Sequence, residues 1–187
     1  MDPNYDFTNA QFDVKSLIHA INLHGENLIG LELGILRAES FCTLLQNCPN
    51  IKKLYGVDSW KPYHDILLKP YSVSEKQQEM IKFIAYHNIK FSGYQDKAVI
   101  LEKDSNQALE DIPDAYLDFI FLDAYMNYDQ VMNDLEGWYP KVKTGGLFAG
   151  HDYNSVAVQK GVTQFRNKHN INSTLSLFDQ TWVWRKQ

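Results

Sequence analysis

The chain has 187 residues, of which 44% are hydrophobic and 22% charged, the composition of a globular protein with one sizeable core. That excludes a disordered tail, a collagen-like rod and a small disulfide scaffold. Eighteen Lys and Arg against 23 Asp and Glu leave a net charge of −5, which argues against a partner made of nucleic-acid backbone. The N-terminus, Met1-Asp2-Pro3-Asn4-Tyr5-Asp6, has neither the basic start nor the apolar run of a secretory signal. No apolar stretch approaches bilayer length. Cys42 and Cys48 lie six residues apart in one predicted helix and match neither a redox pair nor a zinc site. A cytoplasmic, single-domain protein with buried thiols and no membrane partner is expected.

Val14, Leu17, Ile18 and Ile21 repeat at helical spacing, which predicts an amphipathic helix from Asp13 to Leu23, ended by His24-Gly25. Leu28–Leu33 reads as a nearly all-apolar strand, buried on both faces. Phe41, Leu44, Leu45 and Cys48 mark a helix that Pro49 stops, and Lys53–Val57 is a second strand ending at Asp58. Residues 59–97 read as an insert with Pro62, Pro70 and a helix on which Met80, Phe83, Ile84 and His87 share a face. Strand Val99–Leu101, a short helix from Ser105 and strand Leu117–Leu122 follow. Tyr128, Val131, Met132, Leu135 and Tyr139 are in helical register. Lys143-Thr144-Gly145-Gly146 reads as a turn before strand Leu147–Gly150, and Val156–Lys168 as a helix. Asn172–Leu177 and Thr181–Arg185 read as two closing strands joined by a tight turn. Strands alternating with helices predict an α/β fold: a parallel sheet with right-handed crossovers and helices on both faces. In such sheets ligands sit beyond the C-terminal ends of the strands.

Glu32-Leu33-Gly34-Ile35-Leu36-Arg37-Ala38-Glu39-Ser40 leaves the first strand. Gly34 allows a sharp turn and a close approach to a ligand, and Ser40 falls in the first turn of the next helix. A dinucleotide fingerprint would need glycines where Leu36 and Glu39 stand, which disfavours NAD and FAD. Asp58 can accept hydrogen bonds from vicinal ribose hydroxyls, or it is a helix cap. Gly34 and Asp58 together point to an adenosine-containing ligand. Asp104-Ser105 reads as a cap that can also face an adenine amino group. Asp123, His151 and Asp152 converge on one rim from adjacent strand ends, and such an oxygen-rich set with one imidazole suits Mg²⁺ or Mn²⁺. In the plainer alternative His151 caps the next helix and Asp152 forms an Asx turn.

Leu117-Asp118-Phe119-Ile120-Phe121-Leu122-Asp123-Ala124, then Tyr128, Asp134-Leu135, Trp138, Pro140, Gly145-Gly146-Leu147 and Gly150-His151-Asp152-Tyr153, closely resemble class I S-adenosylmethionine-dependent methyltransferases. More narrowly they resemble the macrocin- and cephamycin-type O-methyltransferases, from about Leu28 through Arg185. The resemblance implies a Rossmann-like, seven-stranded sheet whose last strand is antiparallel. It implies that Glu32, Gly34 and Ile35 lie by the methionine part of the cofactor, with Ser40 near its carboxylate. Asp58 and Ser59 would hold the ribose, Trp60 would pack over the ring system, and Asp104-Ser105 would meet the adenine edge. In metal-dependent members, acids matching Asp123 and the His151-Asp152 pair bind Mg²⁺, so Asp123 and Asp152 are the metal candidates. Three departures stand out. Ala38 replaces a second glycine, a His usual two residues after Asp-Ala is missing, and His151 replaces one acid of the pair.

Methyl transfer from a sulfonium is an in-line displacement, and a hydroxyl acceptor must also lose its proton. The sequence nominates His151 as the base, with Asp123 as its orienting partner or a metal ligand. The expected substrate is a small-molecule hydroxyl, with residues 1–26 and 59–97 (Trp60, Tyr63, His64 and Tyr71 among them) left to contact it. A homo-oligomer is compatible with this reading. The competing function is a cofactor-binding sensor or subunit without turnover. A base-flipping N-methyltransferase is disfavoured, because no Asn/Asp-Pro-Pro-Tyr/Phe-like motif follows the fourth strand.

Overall fold

The computed structural model describes residues 14–62, 73–124, 127–178 and 180–187. Among them seven strands form one sheet: β1 (Leu28–Leu33), β2 (Ile51–Val57), β3 (Ala98–Leu101), β4 (Leu117–Leu122), β5 (Val142–Gly150), β6 (Ser176–Phe178) and β7 (Thr181–Arg185). Their order is β3-β2-β1-β4-β5-β7-β6. Strands β1 to β5 run parallel, and β7 is antiparallel to both β5 and β6. This is the Rossmann-like α/β sheet expected, with the antiparallel pair at its end.

Side chains alternate across each strand, and the alternation sets two cores. Phe119, Phe121, Leu54 and Ala149 face α1 (Lys15–Asn22), α2 (Glu39–Asn47) and α3 (Glu75–Ser92). Leu31, Leu33, Ile120 and Phe148 face α4 (Ser105–Ala108), α5 (Tyr128–Trp138) and α6 (Val156–Lys168). Since Leu31 and Leu33 point one way, Glu32 points the other, toward α2. The chain leaves β3 at one edge and re-enters at β4, so the strand order reverses between β1 and β4. The crevice above that reversal is where such sheets bind ligands.

One expectation needs correction, and one helix face finds its place. Lys143–Gly146 is not a turn ahead of a strand but part of β5, where a register irregularity against β4 and a left-handed Gly145 (φ 82°) absorb it. The face of α3 carrying Met80, Phe83 and His87 is turned to solvent, Met80 being 57% and Phe83 66% exposed. The helix packs instead through Gln78, Ala85, Asn88, Ile89 and Ser92. Tyr63, His64, Pro70 and Tyr71 lie outside the described residues. No described helix is long and apolar enough to cross a membrane. Cys42 and Cys48 are free and buried, and burial pushes both thiols up to about 12.

Candidate active site

At the end of β1 the chain turns at Gly34, whose φ of 85° favours glycine. A Cβ there would lie 2.3 Å from the backbone oxygen of Asp123, so β1 and β4 meet at the reversal with no room for a side chain. Leu36 (φ 45°) and Ala38 (φ 58°) are also left-handed, and this sharp path brings α2 back over the strand end. Ala38 sits where a helix cap belongs but supplies no side-chain acceptor. The first N–H groups of α2 therefore present partial positive charge to the crevice.

Glu32 and Ser40, eight residues apart, meet beneath this loop, with the Ser40 hydroxyl hydrogen-bonded to Glu32 Oε1. Glu32 is fully buried, and its Oε2 has no partner. Burial pushes its carboxyl up to about 8, against the pull of Ser40 and with further help from Asp123 and Asp58. Asp58, at the end of β2, accepts from the Leu36 N–H (2.9 Å) and the Trp60 N–H (2.9 Å). Burial raises its pKa and these N–H groups oppose the rise. Trp60 is buried; its indole N–H donates to Leu36 O at 2.8 Å and its ring lies against Tyr86. Asp58 and Trp60 thus brace the Gly34 loop from inside, a second task beside any ligand contact. Ser59 is half-buried between them.

At the end of β3, Asp104 precedes α4 but makes no capping bond with its side chain; it pairs with Lys61. Ser105 donates to Asp134 and accepts from Trp138 Nε1 at 2.8 Å. Its hydroxyl proton is therefore committed within the protein. Asp134 is a residue that the sequence alone does not mark as a site candidate. It is buried on α5, is pushed up to about 6 by that burial, and lines a small cavity with Asp123, His151 and Asp152. The one signal in the sequence was an acid beside Leu135 on the packed side of α5.

Asp123 ends β4, while His151 and Asp152 follow β5. His151 Nδ1 lies 3.5 Å from Asp123 Oδ1 and 3.3 Å from Asp152 Oδ1. Hydrogen bonds to Asp123 and then Asp152 raise the imidazole to about 10 despite its partial burial, so it is an imidazolium at neutral pH. The Trp182 indole N–H holds the His151 carbonyl at 3.0 Å. Neither His151 nor Asp152 caps α6, whose N-cap is Ser155. The ligand atoms of the three residues lie within 4.8 Å of one another. A cleft of about 340 Å³ runs from Gly34, Ile35 and Ser40 to Phe121, Asp123 and His151, with Val14, the N-cap residue of α1, on its wall.

A mostly parallel sheet whose strand order reverses at such a cleft is a Rossmann-like architecture. The sequence matches the family described as methyltransferase domain over residues 31–153, more than half of the chain, and the protein belongs to that family. With this fold that makes it a class I, S-adenosylmethionine-dependent methyltransferase. Solved structures share the architecture at low identity. TomG, an O-methyltransferase of tomaymycin synthesis from Streptomyces achromogenes solved with S-adenosylmethionine, has a TM-score of 0.66 and 14% identity, covering 92% of this chain and 79% of its own. The O-methyltransferase NovP has a TM-score of 0.63 and 17% identity over 91% of this chain and 79% of its own. A precorrin-6y C5,15-methyltransferase from Geobacter metallireducens has a TM-score of 0.67 and 11% identity, over 100% and 96%. No curated protein matches by sequence.

Proposed function

We propose that the protein methylates a hydroxyl of a small molecule, with the methionine end of S-adenosylmethionine at the Gly34–Ser40 loop and the acceptor at Asp123 and His151. The observation that carries this reading is the single cleft joining those two groups of residues. The cleft's residues suit the cofactor, with an uncapped helix N-terminus and the Ser40 hydroxyl for its carboxylate. Beyond the cleft's lining, Asp58 at the end of β2 is read as the ribose partner and Asp104, paired with Lys61, as the adenine edge. TomG, bound to S-adenosylmethionine, and NovP, both O-methyltransferases, favour oxygen as the acceptor atom. We read the chain as similar to the macrocin- and cephamycin-type enzymes, as a cytoplasmic protein and as one catalytic domain.

Two carboxylates and one imidazole within 4.8 Å fit a hard divalent cation such as Mg²⁺, with Asp123 and Asp152 as the oxygen ligands. Bound there, the cation would lower the pKa of the acceptor hydroxyl. Asp123 and Asp152 also control His151. While both acids face it the imidazole keeps its proton, and it becomes a base only once their charge is compensated. Positioning of the acceptor against the sulfonium supplies the remainder, because an in-line displacement asks mainly for alignment.

The two acids on His151 Nδ1 are also the observation that favours the second reading, a cofactor-binding subunit without turnover. Calorimetric titration with S-adenosylmethionine, with and without Mg²⁺, tests the shared part: absence of binding in both would overturn it. Formation of S-adenosylhomocysteine with a panel of small phenols and alcohols then separates enzyme from binder.

A further inference from the structure

Glu32 is an acid in a buried parallel strand, 0% exposed, and no cation among the described residues acts on it. Of its two oxygens one meets Ser40 and the other meets nothing. An ionised carboxylate in that position would leave half its charge unsolvated, whereas the neutral acid leaves only a carbonyl oxygen without a donor, a far smaller penalty. The charged groups acting on it are Asp123 from the end of β4 and Asp58 from the end of β2, both acids. On α2 it faces Ser40, and its field also reaches the Cys42 thiol. None of these neighbours is a cation that would favour the carboxylate.

Two proton arrangements fit the contact between Glu32 and Ser40. In one the Ser40 hydroxyl donates inward to a carboxylate. In the other the acid donates its own proton to Ser40 Oγ, and the hydroxyl proton of Ser40 is free to turn outward into the cleft that Ser40 lines. We propose that Glu32 is a positioning residue acting through Ser40: as the neutral acid it donates to Ser40 Oγ and so aims the Ser40 hydroxyl at the carboxylate of the bound cofactor. No bond breaks. Each proton stays on its own oxygen and the hydroxyl rotates. Only at higher pH does an O–H bond break: Glu32 gives its proton to solvent, the Ser40 proton is drawn inward to the carboxylate, and oxygen lone pairs face the cofactor's anion instead. Burial that pushes the acid up to about 8 puts the change within reach of experiment. The inference rests on the S-adenosylmethionine reading of the cleft.

The probe is S-adenosylhomocysteine, which carries the same carboxylate without the reactive methyl. Its affinity is measured by calorimetry from pH 6.5 to 9.5 on the full chain, and on Glu32→Gln and Ser40→Ala. Wild type is expected to lose about tenfold more affinity across this range than Glu32→Gln, the worth of one hydrogen bond to a charged group. The Gln amide donates to Ser40 at every pH, and titration of the ligand's own amine is common to both proteins, so the difference isolates Glu32. Ser40→Ala is expected to bind more weakly at pH 7 and to follow the flatter profile. Superimposed profiles for wild type and Glu32→Gln would overturn the proposal. If Glu32→Gln does not fold, an undiminished pH drop in Ser40→Ala would overturn it as well. No binding by wild type at any pH is a different result, since it removes the cofactor reading beneath the proposal.

Discussion

At the β1–α2 end of the cleft, Glu32 keeps its proton because burial offers a carboxylate one hydroxyl and little else. At the β4–β5 end, His151 keeps its proton because two carboxylates face it. One group is neutral and the other cationic at pH 7, although both are held in the protonated form. The contrast separates desolvation from charge pairing as ways of holding a proton, and each leaves its own experimental mark.

The largest expected effect removes the geometry on which both ends depend. Gly34→Val puts a branched side chain at φ 85° and a Cβ 2.3 Å from the Asp123 carbonyl oxygen. Backbone strain alone is of order 1–3 kcal/mol, and the clash is with main chain that cannot rotate aside. Loss of S-adenosylmethionine binding by calorimetry, or of the folded state by circular dichroism, is the expected outcome. Retention of near-wild-type affinity would mean that β1 and β4 are not locked together at the reversal.

Next in size is Asp123→Asn, which removes the first of the two acids holding His151. The imidazole should titrate well below its wild-type value of about 10, followed through its ring protons by NMR. Turnover on a hydroxyl acceptor should fall about 10²-fold or more, the usual worth of a proton-handling group. An unmoved imidazole would transfer the control to Asp152.

The fold was legible because its signals are local. Apolar runs give β1 and β4, helical spacing gives α2 and α5, and punctuation at Pro49 and Gly150 stops α2 and ends β5. The Glu32–Ser40 contact was not legible, because it depends on three left-handed residues in one loop, two of them non-glycine. Nor was the commitment of Ser105 to Asp134 and Trp138, which joins α4 to α5 across about thirty residues of chain. The charge of His151 also eluded the sequence, which nominates the residue as a base without showing both acids on the same nitrogen.

Smaller, and specific to each end, are the slopes of stability against pH. Glu32 is raised from 4.5 to about 8, so between those values the folded chain binds more protons than the unfolded one. Its contribution is complete below 4.5 and is lost as the pH rises through 8, with a slope approaching about 1.4 kcal/mol per pH unit. His151, raised from 6.5 to about 10, contributes fully below 6.5 and loses that contribution as the pH rises through 10. Glu32→Gln should therefore flatten the slope below pH 6.5 and His151→Gln the slope above pH 8, read as melting temperatures from pH 5 to 10. Loss of the slope below pH 6.5 in His151→Gln, or of the slope above pH 8 in Glu32→Gln, would mean that the two protons are coupled.

The smallest effect is the one that the helical pattern of α3 would misjudge. Periodicity locates this helix, and a capping box at Ser74 and Gln77 with Gly93 at the far end fixes its limits. It says nothing about which face meets the protein. The contact is made through small and polar groups: Ala85 packs closely, and the buried Asn88 amide donates to Arg37 O at 2.8 Å, tying α3 to the Gly34 loop. Asn88→Ala leaves that carbonyl without its donor and should cost about 1–2 kcal/mol, with weaker cofactor binding as the loop loosens. Phe83→Ala, on the face 66% open to solvent, should change stability by less than about 0.5 kcal/mol in urea unfolding. A larger loss there would mean that Phe83 is covered in solution, and the bond from Asn88 would no longer be the main tie between α3 and the cofactor end of the cleft.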